Sequence, residues 1–141
     1  MQGIWRRVVF VGLYEGIAIV CTSFGLSATT GGEQQLGRAT LVAVACSVVA
    51  VLWNLVFNML FERWEAGQAK RGRSLARRVA HAVGFEGGLA LMLIPLVAFG
   101  LGVSIVQAFW LDIGLLCFFL VYTFVFNWAF DRIFGLPASA A

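Results

Sequence analysis

Four apolar stretches, each long enough to cross a lipid bilayer, limit this chain more than any other feature. A membrane-spanning helix needs about 20 mostly apolar residues at a rise of about 1.5 Å each. Such stretches run over residues 8–28, 40–61, 79–103 and 108–130. Glu15 interrupts the first, Pro95 lies inside the third, and Asp112 stands near the start of the fourth. Periodicity alone does not separate such runs from buried soluble helices, but their length does. Composition agrees: 61% of the residues are hydrophobic and 12% charged, where a soluble domain is about half apolar and a quarter charged. The expected fold is therefore all-α and integral to a membrane, with four transmembrane helices in a chain of 141 residues.

Arg6 and Arg7 precede the first stretch, and Leu26-Ser27-Ala28 resembles a signal-peptide cleavage site. The apolar run is too long for a signal peptide, however, and carries a glutamate. It is read as a retained helix. Orientation follows the Lys and Arg count. Arg6, Arg7, Arg63, Lys70, Arg71, Arg73, Arg77, Arg78 and Arg132 fall on one side, and Arg38 alone falls on the other. Both termini and the central loop are thus expected in the cytoplasm, with short links at 29–39 and 102–107 facing outward. The basic residues are not interleaved with aromatics on one face, so no nucleic-acid partner is expected. Cys21, Cys46 and Cys117 are far apart, each inside an apolar run, and read as small packing residues rather than metal ligands. There is no phosphate loop and no serine nucleophile with partners, so neither an enzyme nor a cofactor is expected.

The chain repeats itself. Arg6-Arg7-Val8 through Tyr14-Glu15-Gly16 matches Arg77-Arg78-Val79 through Phe85-Glu86-Gly87, at the separation of Glu15 and Glu86. Trp53-Asn54-Leu55-Val56-Phe57-Asn58 through Glu62-Arg63 matches Tyr122-Thr123-Phe124-Val125-Phe126-Asn127 through Asp131-Arg132. Each copy goes in, out and in again. The two hairpins therefore share orientation and are related by an axis along the membrane normal, a parallel repeat. The division is residues 1–66 for the first hairpin, 67–76 for a basic cytoplasmic linker and 77–141 for the second.

The repeat places Glu15 and Glu86 at one depth, about 10 Å inside the cytoplasmic boundary at helical rise. An ionised carboxylate facing lipid there is costly, so each must face the bundle interior, pair with a cation or carry a proton. A carboxyl so placed can exchange a proton for a cationic ligand. It can equally be a neutral, hydrogen-bonded group that fixes helix register. Gly12 with Gly16, and Gly84 with Gly88, give the four-residue spacing that lets helices approach closely. Asn54, Asn58 and Glu62 share one helix face, and Thr123, Asn127 and Asp131 repeat it. These rows either line a wet pathway or bond between helices. Asp112 is an outer proton or cation acceptor, or an ordinary interfacial acid. Trp53, Tyr122, Phe57 and Trp128 offer aromatic faces to a cation or to packing. His81 reads as structural, and its counterpart in the first hairpin is Phe10.

These motifs resemble the proteobacterial antimicrobial compound efflux family, which carries two tandem bacterial transmembrane pair hairpins. Its first motif, R-x-x-H-A-x-x-F/Y-E-G, is matched at residues 78–87 and, with Phe10 in place of histidine, at 7–16. Its second, W-N-x-x-F/Y-N-x-x-F-E/D, is matched at 53–62 and in variant form at 122–131. Residues 107–114 resemble the start of its fourth span. The resemblance implies a multi-pass protein of the bacterial inner membrane. It implies proton-coupled export of biocides and dyes such as chlorhexidine and acriflavine, and in some members of short diamines. It also implies that Glu15 is the coupling carboxylate, that Asp112 takes part, and that the protein forms a homodimer. The expected function is thus proton antiport of organic cations. Glu15 and Asp112 handle protons, and Glu15, Glu86, Asn54, Asn58, Trp53, Tyr122 and Asn127 hold substrate. The competing readings are a passive cation channel or permease and a non-transporting membrane partner.

Overall fold

The computed structural model describes residues 3–70, 72 and 74–136, and among these it is helical without strands. Four long helices follow one another: α1 over Gly3–Thr30, α2 over Leu36–Ala66, α3 over Leu75–Leu101 and α4 over Ile105–Phe134. All four are long and apolar enough to cross a membrane. Each is longer than the apolar run that marks it. At about 1.5 Å per residue, a helix of 31 residues such as α2 exceeds the roughly 30 Å hydrocarbon layer. The extra turns carry the charged ends, where hydropathy falls but backbone hydrogen bonding continues. Arg71 and Arg73 of the linker lie outside the described residues.

The links between helices are short. A single 3-10 turn, Gly32–Gln35, joins α1 to α2. Three residues join α3 to α4: Gly102, at φ 67°, closes α3 by donating to the Ala98 carbonyl, and Ser104 caps α4 by accepting from the Gln107 N–H. Such tight links force antiparallel neighbours. The helices pack in the order α1, α2, α3, α4, and α4 meets α1 again to close a ring. Pro95 removes one backbone donor, yet α3 continues past it to Leu101.

The apolar core sits at the end of the bundle away from the termini. Leu26, Ala39, Val42, Cys46, Leu93, Val97, Ala98, Leu101 and Ala108 form it. Small residues set the spacing there. A Cβ on Gly100 would overlap the Val42 side chain, so α2 and α3 approach through a glycine. Elsewhere the large side chains point outward, Phe99 being 87% exposed. In water that surface would drive aggregation; in lipid it is the ordinary exterior.

The two glycine pairs differ. Gly84 and Gly88 on α3 receive the Phe57 and Trp53 rings of α2, with no room for a Cβ at Gly88. Gly12 and Gly16 on α1 face open space. The pairs are not equivalent under the repeat: Gly84 and Gly88 correspond to Leu13 and Ile17, and Gly16 corresponds to Gly87, which also faces open space. The four-residue spacing marks a helix contact in the second pair and not in the first. Because Trp53 is tied to the Phe85 carbonyl, its ring cannot step aside. Gly88→Ala is therefore expected to lower thermal stability in detergent by about 1–3 kcal/mol through overpacking, and Gly16→Ala to leave it nearly unchanged. Equal responses at both sites would contradict this packing.

Candidate functional site

A cavity of about 410 Å³ lies among the four helices. Each helix contributes one stripe spaced by three or four residues. On α1 the stripe is Glu15, Ala18, Ile19 and Thr22; on α3 it is Glu86, Leu89, Ala90 and Leu93. The α2 stripe includes Ala43, Cys46, Ser47, Ala50 and Asn54, and the α4 stripe is Asp112, Leu115, Leu116 and Phe119. This is the periodicity of a helix that turns a single face inward.

Three acids from three helices line this space, and no Lys, Arg or His is among the lining residues. The rest of the wall is largely apolar. Glu15 accepts a hydrogen bond from the Ser47 hydroxyl across the α1–α2 contact. Asp112 lies within electrostatic reach of Glu86 and of Cys46. Among the described residues no group of His, Cys, Asp and Glu is arranged to hold a metal ion. The acids are therefore spread along one cavity rather than focused on a point. Such a cavity, acid-lined and greasy at once, fits a cation with an apolar body, or protons.

Two seams flank the cavity, and they are the same contact made twice. In the first, Tyr122 Oη on α4 donates to the carbonyl of Tyr14 at 2.7 Å. In the second, Trp53 Nε1 on α2 donates to the carbonyl of Phe85 at 2.9 Å. Each accepting carbonyl belongs to the residue just before a cavity glutamate, and its second lone pair is free for this use. Around these bonds the rings interlock. Phe10 packs edge-on against Phe126 and Phe130, as His81 does against Phe57 and Phe61. His81 Nε2 also bonds Asn58 Oδ1 at 2.8 Å. Beyond the first seam Arg6 pairs with Asp131 at 2.6 Å. Arg6 also donates to the Gly135 carbonyl and lies over the Phe130 ring.

The residues singled out from sequence thus separate. Glu15, Glu86, Asp112 and Asn54 share the cavity. Trp53, Tyr122 and Asn58 stand on the seams with their polar atoms engaged in helix contacts. Asn127 donates to the Thr123 carbonyl, one turn back on its own helix. Sequence reasoning missed Ser47 and Thr22. Their counterparts under the repeat are Leu116 and Leu93, so a search guided by recurring residues passes over them.

A family model described as chlorhexidine efflux transporter matches residues 2–67 and again residues 73–136. A short-chain diamines transporter of Acinetobacter baumannii is 39% identical over 128 residues, covering 91% of this chain and 87% of that protein. Proteins described in the same words from Acinetobacter baylyi and Vibrio parahaemolyticus are 38% and 37% identical, each over 91% of this chain and 89% of theirs. No solved structure matches.

The seam geometry makes a prediction of its own. Tyr122→Phe keeps the ring and deletes the donor to the Tyr14 carbonyl. It is expected to lower stability in detergent by about 0.6 kcal/mol, and by no more than about 1.7, the range of interhelical hydrogen bonds in membranes. An unchanged unfolding midpoint would mean that this bond does not hold α4 to α1.

Proposed function

The chain belongs to the chlorhexidine efflux transporter family, and from that premise we propose that it exports organic cations in exchange for protons. It is a multi-pass membrane transporter of biocides and diamines, and not an enzyme. What supports the exchange mechanism is the cavity itself. Three carboxylates line it and no fixed cation answers them. In a membrane, uncompensated charge is expensive. Something mobile must supply the positive charge, and a proton and an organic cation are alternatives at the same oxygen atoms.

In this reading Glu15 is the exchanging group. Deprotonated, it takes the cation, with the Ser47 hydroxyl holding the carboxylate in place. The lysine and arginine distribution puts the face bearing the termini in the cytoplasm, so loading occurs from that side. The two hairpins then rock, and the apolar core around Val97 yields on the outer side. Protons arriving there, through Asp112 and then Glu15, displace the cation. Mutually exclusive occupancy couples the flows, and one charge crossing 100 mV supplies about 2.3 kcal/mol. The protein acts in the bacterial inner membrane, as a homodimer. Substrates are short diamines and lipophilic cations such as chlorhexidine and acriflavine.

Proton competition fixes the sign of the pH dependence. Glu15 shares the cavity with Glu86, Asp112, Cys46 and Tyr14, and protonation of the acids removes the charge that holds the cation. Cation affinity is therefore expected to fall as pH falls. In proteoliposomes with an imposed proton gradient, Glu15→Gln is expected to cut diamine or acriflavine transport by about tenfold or more. Undiminished, gradient-driven transport in that variant would overturn the mechanism. Wild-type flux that ignores an uncoupler would point instead to a passive permease.

A further inference from the structure

A serine or threonine inside a helix ordinarily turns its hydroxyl onto the carbonyl one turn back. Ser23, Thr29, Thr30 and Thr40 do so here, bonding the carbonyls of Ile19, Gly25, Leu26 and Leu36. Ser47 bonds Glu15, and Thr123 bonds Tyr14. Thr22 is different. Its Oγ1 is buried without a partner, the residue is only 7% exposed, and it lines the cavity. A buried hydroxyl left unpaired costs free energy, and turning the Thr22 side chain onto a ligand in the cavity beside it relieves that cost. The repeat puts Leu93 at the equivalent place, so the hydroxyl is no general packing feature of the hairpin.

Position gives it a use. Thr22 is two turns beyond Glu15, about 10 Å nearer the face away from the termini. Asp112 is one turn beyond Leu116, the counterpart of the Ser47 that bonds Glu15. It therefore lies about 6 Å beyond the glutamate level. Both groups are additions to the outer half of the cavity that the repeat does not duplicate, since Ala43 is the counterpart of Asp112. The acids do not converge on one point. A four-carbon diamine, five zigzag bonds of about 1.5 Å, holds its nitrogens about 6 Å apart.

We propose that Thr22 and Asp112 form an outer subsite for the second ammonium group of a short aliphatic diamine, whose first ammonium lies level with Glu15 and Glu86. Each ammonium has three donors. At the outer subsite the Thr22 hydroxyl oxygen accepts one and the Asp112 carboxylate another, while the methylenes lie against Leu89 and Leu115. A monoamine fills the inner level alone. This assignment rests on the cavity being the transport site.

The test is calorimetric titration of the full-length protein in detergent with 1,4-diaminobutane and with butylamine. Thr22→Val, which keeps the shape and loses the hydroxyl, should weaken diaminobutane about fivefold and change butylamine by less than about twofold. Thr22→Ser should restore the wild-type affinity, and Asp112→Asn should also penalise the diamine selectively. Butylamine too weak to detect in the unmodified protein also counts for the subsite, since the second ammonium then carries the affinity. Unchanged diamine binding in Thr22→Val, or equal losses for both amines, would overturn the outer subsite and leave the transport reading standing. Failure of both amines to bind the unmodified protein would overturn that reading itself.

Discussion

The structure depends on a charge imbalance inside a greasy bundle. Glu15, Glu86 and Asp112 line one cavity without a lysine, arginine or histidine among its walls. Lipid cannot solvate them, and the surrounding Leu and Phe side chains cannot either. The helices must turn these acids inward, which sets their rotation about their own axes. The stripes facing the cavity follow from that demand as much as from apolar packing. With its acids ionised the cavity is electrically incomplete, and in the proposed exchange this incompleteness links the fold to cation transport.

Holding such a site in place is the task of its surroundings. At one end, small residues and Gly100 bring α2 and α3 together over a dry core. At the other, the paired seams tie Tyr122 to the Tyr14 carbonyl and Trp53 to the Phe85 carbonyl. Each tie fixes the backbone next to a glutamate without engaging its carboxylate, and the Glu15 carboxylate bonds the Ser47 hydroxyl instead. The site is thus anchored through main-chain atoms rather than through the acids alone. Among the described residues the Arg6–Asp131 pair adds a lock to one seam only. Arg77, the counterpart of Arg6, instead lies over the Trp64 ring and donates to the Gly72 carbonyl. The two hairpins are therefore alike in frame and unlike in their fastenings.

Much of this was legible in the residues. Four apolar runs gave four helices, because in lipid a helix is the way a single segment satisfies its own backbone. The repeat located Glu15 and Glu86 at one level, and the helical period put Asn54 on the inner face. Other features were hidden for physical reasons. Helix ends outran the hydropathy signal because backbone bonding does not stop at the hydrocarbon edge. Gly12 and Gly16 carried a contact spacing but no contact, since spacing does not say which face meets a neighbour. Trp53 and Tyr122 read first as packing and second as ligand faces, and only their partners distinguish the two. Thr22 and Ser47 stayed invisible because short polar side chains in a span usually bond their own backbone. That Thr22 fails to do so is a matter of three-dimensional position.

If mutually exclusive loading of protons and cations is right, binding must displace protons, and this can be seen without any membrane. Purified protein in weakly buffered detergent solution, near the pH where its cavity acids are partly protonated, is titrated with 1,4-diaminobutane while the pH is followed. The account predicts acidification with wild type, saturating with the binding isotherm, and its loss or sharp reduction in Glu15→Gln. Saturable diamine binding with no proton release, or equal release from the Glu15→Gln variant, would contradict it.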